Sequence, residues 1–201
     1  MHILRSRIDE FRAGDEATLS ADERARADRF ATADLRRRYV AAHAFVRRTL
    51  AEHAGVPAAA LRFTIGPFGK PALRDFSDLH FNLSHAGDWA ICAVSRASPL
   101  GIDIEQARPL PEFRDLAARF FSSAEQRTLA ALPISKQMRA FFEIWTKKEA
   151  YIKATGRGLA QSLQEFSVPL GTDGPVRPDA RWLVRALPAP DGYVAALATR
   201  Y

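Results

Sequence analysis

The spacing of apolar residues predicts two long helices. Apolar side chains recur every three or four positions through residues 32–52 and again through residues 136–154, which places them on one face of a helix. Gly55 follows the first segment and Gly156 the second, and glycine is the usual residue just past a helix end. Each helix therefore has a defined end and an apolar stripe that must be covered by another element.

Capping residues predict three shorter helices. Ser20 followed by Glu23 three positions later is the pattern of a capping box, so a helix should begin there. A helix over residues 113–121 is followed by another over residues 123–132, with the serine pair 122–123 available as caps.

Seven segments have the length and residue pattern of β-strands. In these segments apolar residues alternate with other residues or form short continuous runs bounded by glycine, proline and aspartate. They are residues 2–8, 81–84, 89–95, 100–105, 166–170, 182–187 and 193–199. Strands and long helices together indicate an α+β fold.

Two segments of the chain resemble each other. Residues 87–96 and 191–200 each contain a turn, an aromatic residue, a small and apolar strand, a hydroxyl residue and an arginine. A long helix lies ahead of each. Chance similarity between two strands explains this pattern as well as an internal duplication does. A duplication would give two similar α+β halves that meet around residues 105–115.

Composition limits the class of protein. The single cysteine, Cys92, excludes an internal disulfide framework and a cysteine-rich zinc site, and it fits a reducing compartment. No apolar run approaches the roughly 20 residues that span a bilayer, and the N-terminus lacks the apolar core of a secretory signal. We therefore expect a cytoplasmic protein. The net charge of +6 favours polyanionic partners without choosing among nucleic acid, nucleotide-like cofactors, acidic proteins and anionic lipid.

Two acidic residues share one face of a predicted strand. Asp103 and Glu105 are two positions apart, so their side chains leave the same side, while the neighbouring isoleucines point into a core. Carboxylates crowded together raise each other's pKa unless a cation lies between them. Oxygen ligands suit Mg²⁺, Mn²⁺ or Ca²⁺ rather than zinc. Taken alone, the pair is equally well explained as two surface acids on an edge strand.

A second pair of charged residues lies on the last long helix. Glu149 and Lys153 are four positions apart and share one helix face. Alone, they are better explained as a surface ion pair. Their surroundings, Trp145 with two lysines and the acid, are what a metal-bridged pyrophosphate requires, because a lysine beside the metal stabilises the leaving phosphate.

The dipeptide Ser84-His85 lies at the end of a predicted strand. Adjacent strand residues point to opposite faces, so this serine and histidine are poorly placed as nucleophile and base, and no G-x-S-x-G motif is present. His85 is interpreted either as a donor to a phosphate or sugar or as a structural histidine.

Together these segments resemble the 4′-phosphopantetheinyl transferase superfamily, in particular its Sfp-type (surfactin synthetase-activating) branch. The order and spacing of five motifs agree with that family from about residue 28 to residue 170. The motifs are GKP (69–71), FNLSH (81–85), LGIDIE (100–105), FFS with Glu125 (120–125) and WTKKEAYIK (145–153).

The resemblance implies a fold and a reaction. It implies a monomer of two pseudo-symmetric α+β halves, 1–107 and 108–201, each a small antiparallel sheet packed with a long helix, with the active site in the cleft between them. The implied reaction moves 4′-phosphopantetheine from coenzyme A to a serine of an apo acyl or peptidyl carrier protein and releases adenosine 3′,5′-bisphosphate. Neither a nucleic acid nor a membrane is implied as a partner.

The resemblance also implies roles for individual residues. Asp103, Glu105 and Glu149 would bind Mg²⁺, with Mn²⁺ as a substitute, and Glu149 and Lys153 would be catalytic. Whether Glu149 or a metal-bound water takes the proton of the carrier serine stays open. The residues implied to contact coenzyme A are Arg38, Arg47, Lys70, Ser84, His85 and Lys153, with Lys70 lining the nucleotide pocket and Lys153 and His85 on the phosphates.

Two other functions use the same kinds of residues. A metal-dependent nuclease or phosphodiesterase also needs clustered carboxylates, a lysine and a basic surface. A non-catalytic nucleic-acid-binding module is the other alternative, although the Phe and Tyr residues recur at core spacing rather than as a platform among basic residues. The carrier protein and the tolerance for acylated coenzyme A are left open by the sequence.

Overall fold

The described backbone forms eight strands and five α-helices. The structure is a computed structural model and describes residues 1–9, 12–158, 161–171 and 174–200. The strands are β1 (His2–Arg7), β2 (Phe63–Ile65), β3 (Pro71–Leu73), β4 (His80–Ala86), β5 (Trp89–Ser95), β6 (Leu100–Gln106), β7 (Trp182–Leu187) and β8 (Tyr193–Arg200). The helices are α1 (Ala21–Ala27), α2 (Ala33–Ala54), α3 (Phe113–Phe120), α4 (Ser123–Ala130) and α5 (Ile134–Thr155). None of these helices is long and apolar enough to cross a membrane.

The helix ends follow the predicted caps. Ser20 accepts a hydrogen bond from the backbone of Glu23, whose carboxylate in turn accepts one from the Ser20 N–H, so a complete capping box begins α1. A second capping box, at Ser122, begins α4. Gly55 and Gly156 end α2 and α5 with φ of 70° and 69°, in the left-handed region that glycine adopts at least cost. The predictions of both long helices are confirmed.

Two antiparallel sheets share one topology. The first has the strand order β1-β5-β4 and the second the order β6-β8-β7. In each, a strand is followed by a long helix and then by two strands paired with each other, the second of which also pairs with the first strand of the set. The two segments that resemble each other in sequence form β5 and β8, the central strand of each sheet. An α+β fold of two similar halves is thereby confirmed.

The two sheets share a core. α2 covers the first sheet through residues such as Val46 and Leu50, and α5 covers the second. Between the sheets, Ile91 of β5 packs with Ile102 and Ile104 of β6. β6 thus pairs within the second sheet while its apolar face contacts the first. The predicted domain boundary after residue 107 stays a prediction, and the pairing of β6 places this strand with the C-terminal elements.

The predicted strand over residues 166–170 is wrong. This segment is irregular, and its backbone polar groups bond to side chains instead of to a neighbouring strand. The carbonyl of Phe166 accepts a hydrogen bond from Lys148 Nζ at 2.7 Å, and the N–H of Val168 donates to Glu125 Oε1 at 2.7 Å. Because these buried charged groups satisfy the backbone, the apolar run needs no strand partner.

β6 approaches α5 unusually closely at Gly101. A Cβ atom at this position would lie 2.1 Å from the carbonyl oxygen of Ala150 and 2.3 Å from the backbone nitrogen of Ala154. Both atoms belong to the helix backbone, which cannot move aside as a side chain can. Glycine at this position therefore sets the distance between the two elements.

Gly101→Ala should destabilise the protein and separate β6 from α5. Overpacking typically costs about 1–3 kcal/mol, and the backbone contact places this site at the upper end or beyond. Chemical denaturation should show the loss, with Gly174→Ala as the matched control, because a Cβ there meets no atom within 4 Å. Equal stability of the two variants would contradict the close approach.

Candidate active site

Alternate side chains of β4 connect the first sheet to β6. Asn82 Oδ1 accepts a hydrogen bond from the backbone N–H of Ile102 at 2.8 Å. Two residues further along β4, Ser84 donates to Asp103 Oδ1 at 2.7 Å. Because alternate strand residues share a face, these two contacts bring the end of β4 next to the carboxylates of β6.

Asp103 is the most buried acid of the site. Only 3% of the residue is exposed. Its Oδ1 accepts from Ser84 and from Lys153 Nζ at 2.5 Å, and Lys153 Nζ lies 3.0 Å from Ser84 Oγ. Its other oxygen, Oδ2, is buried and has no hydrogen-bond partner among the described residues. Burial raises the pKa of Asp103, while the charge of Lys153 opposes the rise.

Glu105 and Glu149 face the same region. Burial and then the charge of Asp103 raise the pKa of Glu105 to about 7, against which Lys153 and a hydrogen bond from Trp145 act. Burial and then the charge of Asp103 also raise the pKa of Glu149. The three acids therefore repel one another, and a bound cation would relieve that repulsion.

The carboxylate oxygens of these acids are suitable ligands for a hard divalent cation, although the three side chains do not point at one common position. Carboxylate oxygens are the ligands that Mg²⁺ and Mn²⁺ prefer, and the unpartnered Oδ2 of Asp103 is a free ligand atom. Within the described ranges, however, no three Asp, Glu, His or Cys side chains lie close enough to form a metal site. The ammonium group of Lys153 forms an ion pair with the other oxygen of Asp103, Oδ1.

His85 and Lys70 both lie near Lys153. His85 is exposed near the end of β4, and partial desolvation together with the charge of Lys153 lowers its pKa. Lys70 points its ammonium group at backbone carbonyls of β6 and α5, not at open space. Burial lowers the pKa of Lys70 to about 8.

Comparison with known proteins identifies the family. A sequence model described as the 4′-phosphopantetheinyl transferase superfamily matches residues 99–198, and one described as 4′-phosphopantetheinyl transferase, N-terminal, matches residues 10–97. The chain is 41% identical to the 4′-phosphopantetheinyl transferase HetI of a Nostoc species, over 90% of this chain and 78% of that protein. It is 36% identical to the 4′-phosphopantetheinyl transferase Sfp of Bacillus subtilis, over 79% and 69% respectively.

The chain belongs to the 4′-phosphopantetheinyl transferase superfamily. The family and the enzyme class predicted from its motifs are both confirmed. A more distant structural likeness, to a Thermotoga maritima holo-(acyl-carrier-protein) synthase, has a TM-score of 0.40 and 22% identity, and it covers 51% of this chain and 62% of that one. The assignment does not depend on that likeness.

Two arginines that the family resemblance associates with coenzyme A have protein partners in this transferase. Arg47 is 1% exposed and donates to Glu23 at 2.6 Å and to the Ala58 carbonyl at 2.7 Å, so it forms a buried ion pair. Arg38 remains partly exposed and donates to Asp34 and to the turn between β4 and β5. A role in binding stays a prediction for both arginines. The donors of Arg47 have protein partners, but Arg47 also lines a cavity of about 520 Å³ together with Tyr39 and Phe63.

Two lysines next to Glu149 support the site from the interior. Lys148 is fully buried, forms an ion pair with Glu125 at 2.8 Å and donates to the carbonyls of Leu163 and Phe166. Lys147 donates to the carbonyl of Pro169 at 2.8 Å. Sequence reasoning took these lysines as cationic donors to the site, but the structure turns both toward the protein backbone. The motif that contains Glu125 gave no sign in the sequence that this acid is the partner of Lys148.

The Glu23–Arg47 pair should make stability depend on acid pH. Burial alone would raise the pKa of Glu23, but His43, the Ser20 N–H and Arg47 outweigh it and lower the pKa to about 2. The folded-state pKa is below the ordinary value of 4.5, so this stabilisation is complete above about pH 4.5 and is lost as the pH falls toward 2.

Chemical denaturation gives the free energy of unfolding of the wild type and of Glu23→Gln. The difference between the two proteins should be large at pH 6 and smaller at pH 3. The exposed Glu52→Gln variant is the control and should follow the wild type at both pH values. A difference that does not shrink on acidification would contradict the assigned ion pair.

Proposed function

We propose that this chain transfers the 4′-phosphopantetheine group from coenzyme A to a serine hydroxyl of an acyl or peptidyl carrier protein in the presence of Mg²⁺ or Mn²⁺. The reaction converts the apo carrier into the holo carrier and releases adenosine 3′,5′-bisphosphate. In this proposal the chain works as a monomer, in the cytoplasm, without a nucleic-acid or membrane partner. Family membership and the chemistry of the carboxylate cluster support it.

The unpartnered oxygen of Asp103 carries the proposal. Buried polar atoms are nearly always hydrogen-bonded, because an unsatisfied one costs about 1–3 kcal/mol. Asp103 Oδ2 lacks a partner among the described residues, whereas its other oxygen accepts from Ser84 and Lys153. A buried atom left in this state next to two further acids is best explained as a ligand position.

Three acids would hold the metal. Asp103 and Glu105 come from β6, and Glu149 comes from the facing turn of α5. When bound, the metal would neutralise negative charge on the pyrophosphate of coenzyme A. The same charge would lower the raised pKa values of Glu105 and Glu149, so that all three acids could remain ionised at neutral pH.

Lys153 and His85 would hold the phosphates. The ammonium group of Lys153 already lies in the cluster, 3.0 Å from Ser84 Oγ and partly exposed, so it could reach a phosphate oxygen by a small movement. His85 is exposed on the adjoining strand position, and its lowered pKa favours the neutral imidazole, which can donate one N–H. Lys153 would thereby stabilise the leaving phosphate.

Glu149 is the candidate base for the carrier serine. A serine hydroxyl is a weak nucleophile at neutral pH and must lose its proton as it attacks. Burial raises the pKa of Glu149 and so makes it a stronger proton acceptor, whereas a bound metal would lower that pKa again. Whether Glu149 or a metal-bound water takes the proton of the serine therefore stays open. Glu149 also lines an open cavity of about 290 Å³ with Lys153, Phe68 and Ile152, so a substrate could reach it.

A larger cavity next to this one suits the nucleotide end of coenzyme A. Its volume is about 520 Å³, and its lining includes Tyr39 and Phe63 together with the basic Arg26 and Arg74. Aromatic faces can stack on a base, and guanidinium groups can bind phosphates. Pro71 and Leu83 line both cavities, so one extended molecule could occupy both.

The basic surface supports the choice of substrates. Coenzyme A is polyanionic, carrier proteins of this class are usually acidic, and the chain carries a net charge of +6. Electrostatic attraction of this kind raises association rates and weakens as salt screens it.

Incubation with coenzyme A, Mg²⁺ and an apo carrier protein should add one phosphopantetheine group to the carrier, as measured by mass spectrometry. A panel of fatty acid, polyketide and nonribosomal peptide carriers would identify the preferred substrate. Carriers in which the acceptor serine is replaced by alanine are the control. Absence of any mass gain across the panel, together with Mg²⁺-dependent cleavage of DNA or RNA, would favour a nuclease instead.

Glu149→Gln and Asp103→Ala should abolish transfer without unfolding the protein. Loss of general-base help typically lowers a rate by about 10²–10⁴, and Glu149→Gln also removes a charge that is costly to bury. Thermal denaturation should therefore show no loss of stability in Glu149→Gln. Asp103→Ala removes a proposed metal ligand and leaves Ser84 and Lys153 without their acceptor, so its stability should fall while the fold is kept. Glu52→Gln, which removes an exposed acid of α2, should keep wild-type activity and Mg²⁺ dependence. Full activity in Glu149→Gln would exclude it as ligand and base, and full activity in Asp103→Ala would move the metal elsewhere.

A further inference from the structure

The ammonium group of Lys70 connects two elements that carry the active site. Its Nζ donates to the carbonyl of Lys153 at 2.6 Å, to that of Ala154 at 3.3 Å and to that of Leu100 at 2.8 Å. The first two carbonyls belong to the last turn of α5, and the third to the first residue of β6. One side chain from the N-terminal half therefore bridges both elements.

Two of the three carbonyls lie at a helix end, where they need a partner from outside the helix. The last four carbonyls of a helix have no acceptor role within the helix, so Lys153 and Ala154 depend on an outside donor. A lysine ammonium is compact and offers three donors, which matches three converging carbonyls. The negative end of the α5 dipole adds to this attraction.

Lys70 projects from an ordered turn. The N–H of Gly66 donates to the Lys70 carbonyl at 2.9 Å, and the N–H of Gly69 donates to the Gly66 carbonyl at 3.0 Å. Gly69 has a φ of 84°, which fixes the tight bend between β2 and β3. Because the turn is hydrogen-bonded at both ends, the lysine side chain starts from a defined position.

We propose that Lys70 is a positioning residue, whose ammonium fixes the last turn of α5 against the start of β6 and so sets the separation of Lys153 from Asp103. This inference rests on the proposed transferase reaction for its activity readout. It differs from the expectation that Lys70 binds the nucleotide, because the donors of Lys70 are directed at protein carbonyls. Lys153 lies on α5 and Asp103 on β6, so both move when the contact is lost.

Lys70→Met should lower kcat by about 10- to 100-fold and leave the KM for coenzyme A within about twofold, because small displacements of catalytic groups are costly whereas substrate contacts are kept. The exposed Lys136→Met variant removes the same charge from the start of α5 and should behave as the wild type. A raised KM with unchanged kcat would show a nucleotide contact and overturn the proposal. Lower thermal stability with unchanged kcat would show a merely structural lysine and overturn it as well.

Lys70→Arg separates the same alternatives in a second way and also decides the case if Lys70→Met does not fold. Arginine keeps the charge and binds phosphate well, but its flat, forked group cannot replace an ammonium among three carbonyls. Positioning predicts a lowered kcat at an unchanged KM for coenzyme A. A phosphate contact predicts wild-type kinetics, which would overturn the proposal.

Chemical rescue restores the lost amine. Lys70→Cys should have a low kcat, and alkylation with 2-bromoethylamine should recover much of it by rebuilding a lysine-like side chain. The reaction can be selective because Cys92 is 0% exposed and burial raises the pKa of its thiol to about 12. Treated wild type is the control. No recovery after complete alkylation would overturn the proposal.

Hydrogen exchange tests the contact without any assay of activity. The amides of residues 153–156 should exchange faster in Lys70→Met than in the wild type or in Lys136→Met, because the end of α5 loses its anchor. If the wild type transfers nothing to any carrier, the proposed function is wrong. Hydrogen exchange still tests whether Lys70 holds the end of α5 in place. Unchanged exchange in this turn would overturn the positioning role.

Discussion

The close contact between β6 and α5 is the constraint on which the rest of the site depends. Gly101 lets the strand backbone lie against the helix backbone at a distance that no side chain would permit. As a result, Asp103 on the strand and Lys153 on the helix meet directly. The other face of the same strand carries Ile102 and Ile104 into the core between the sheets, so β6 cannot slide without disturbing both the core and the carboxylates.

The buried charges among the described residues fall into two kinds, and the difference supports the proposed site. Arg47 with Glu23, and Lys148 with Glu125, have partners for their charged groups and join elements that are distant in sequence. Asp103 is equally buried, yet one of its oxygens has no partner among the described residues. Since a fold gains nothing from an unsatisfied carboxylate, its persistence at this position is better explained by a ligand than by stability.

Local sequence patterns predicted the helices, the caps and most strands, because those depend on neighbours along the chain. The strand that was predicted wrongly failed because of contacts distant in sequence. Residues 166–170 have strand composition, but Lys148 and Glu125 bond to their backbone. That Arg47 and Lys70 contact coenzyme A stays a prediction, but their charged groups also have protein partners, Glu23 and backbone carbonyls, which no sequence pattern indicated. Tertiary structure decides which partner a long lysine or arginine side chain contacts. The spacing of residues along the sequence does not predict that partner.

The repeated topology shows that the two halves differ at the positions of the proposed metal ligands. In the first sheet Ser6 pairs with Ala90, and in the second Glu105 pairs with Val194, the residue that corresponds to Ala90 in the repeated segment. By the same register, Leu4 in β1 corresponds to Asp103 in β6. The first half therefore has a leucine and a serine where the second has its acids. It contributes instead the end of β4, with Ser84 against Asp103, so two similar units have become the two unlike sides of one site.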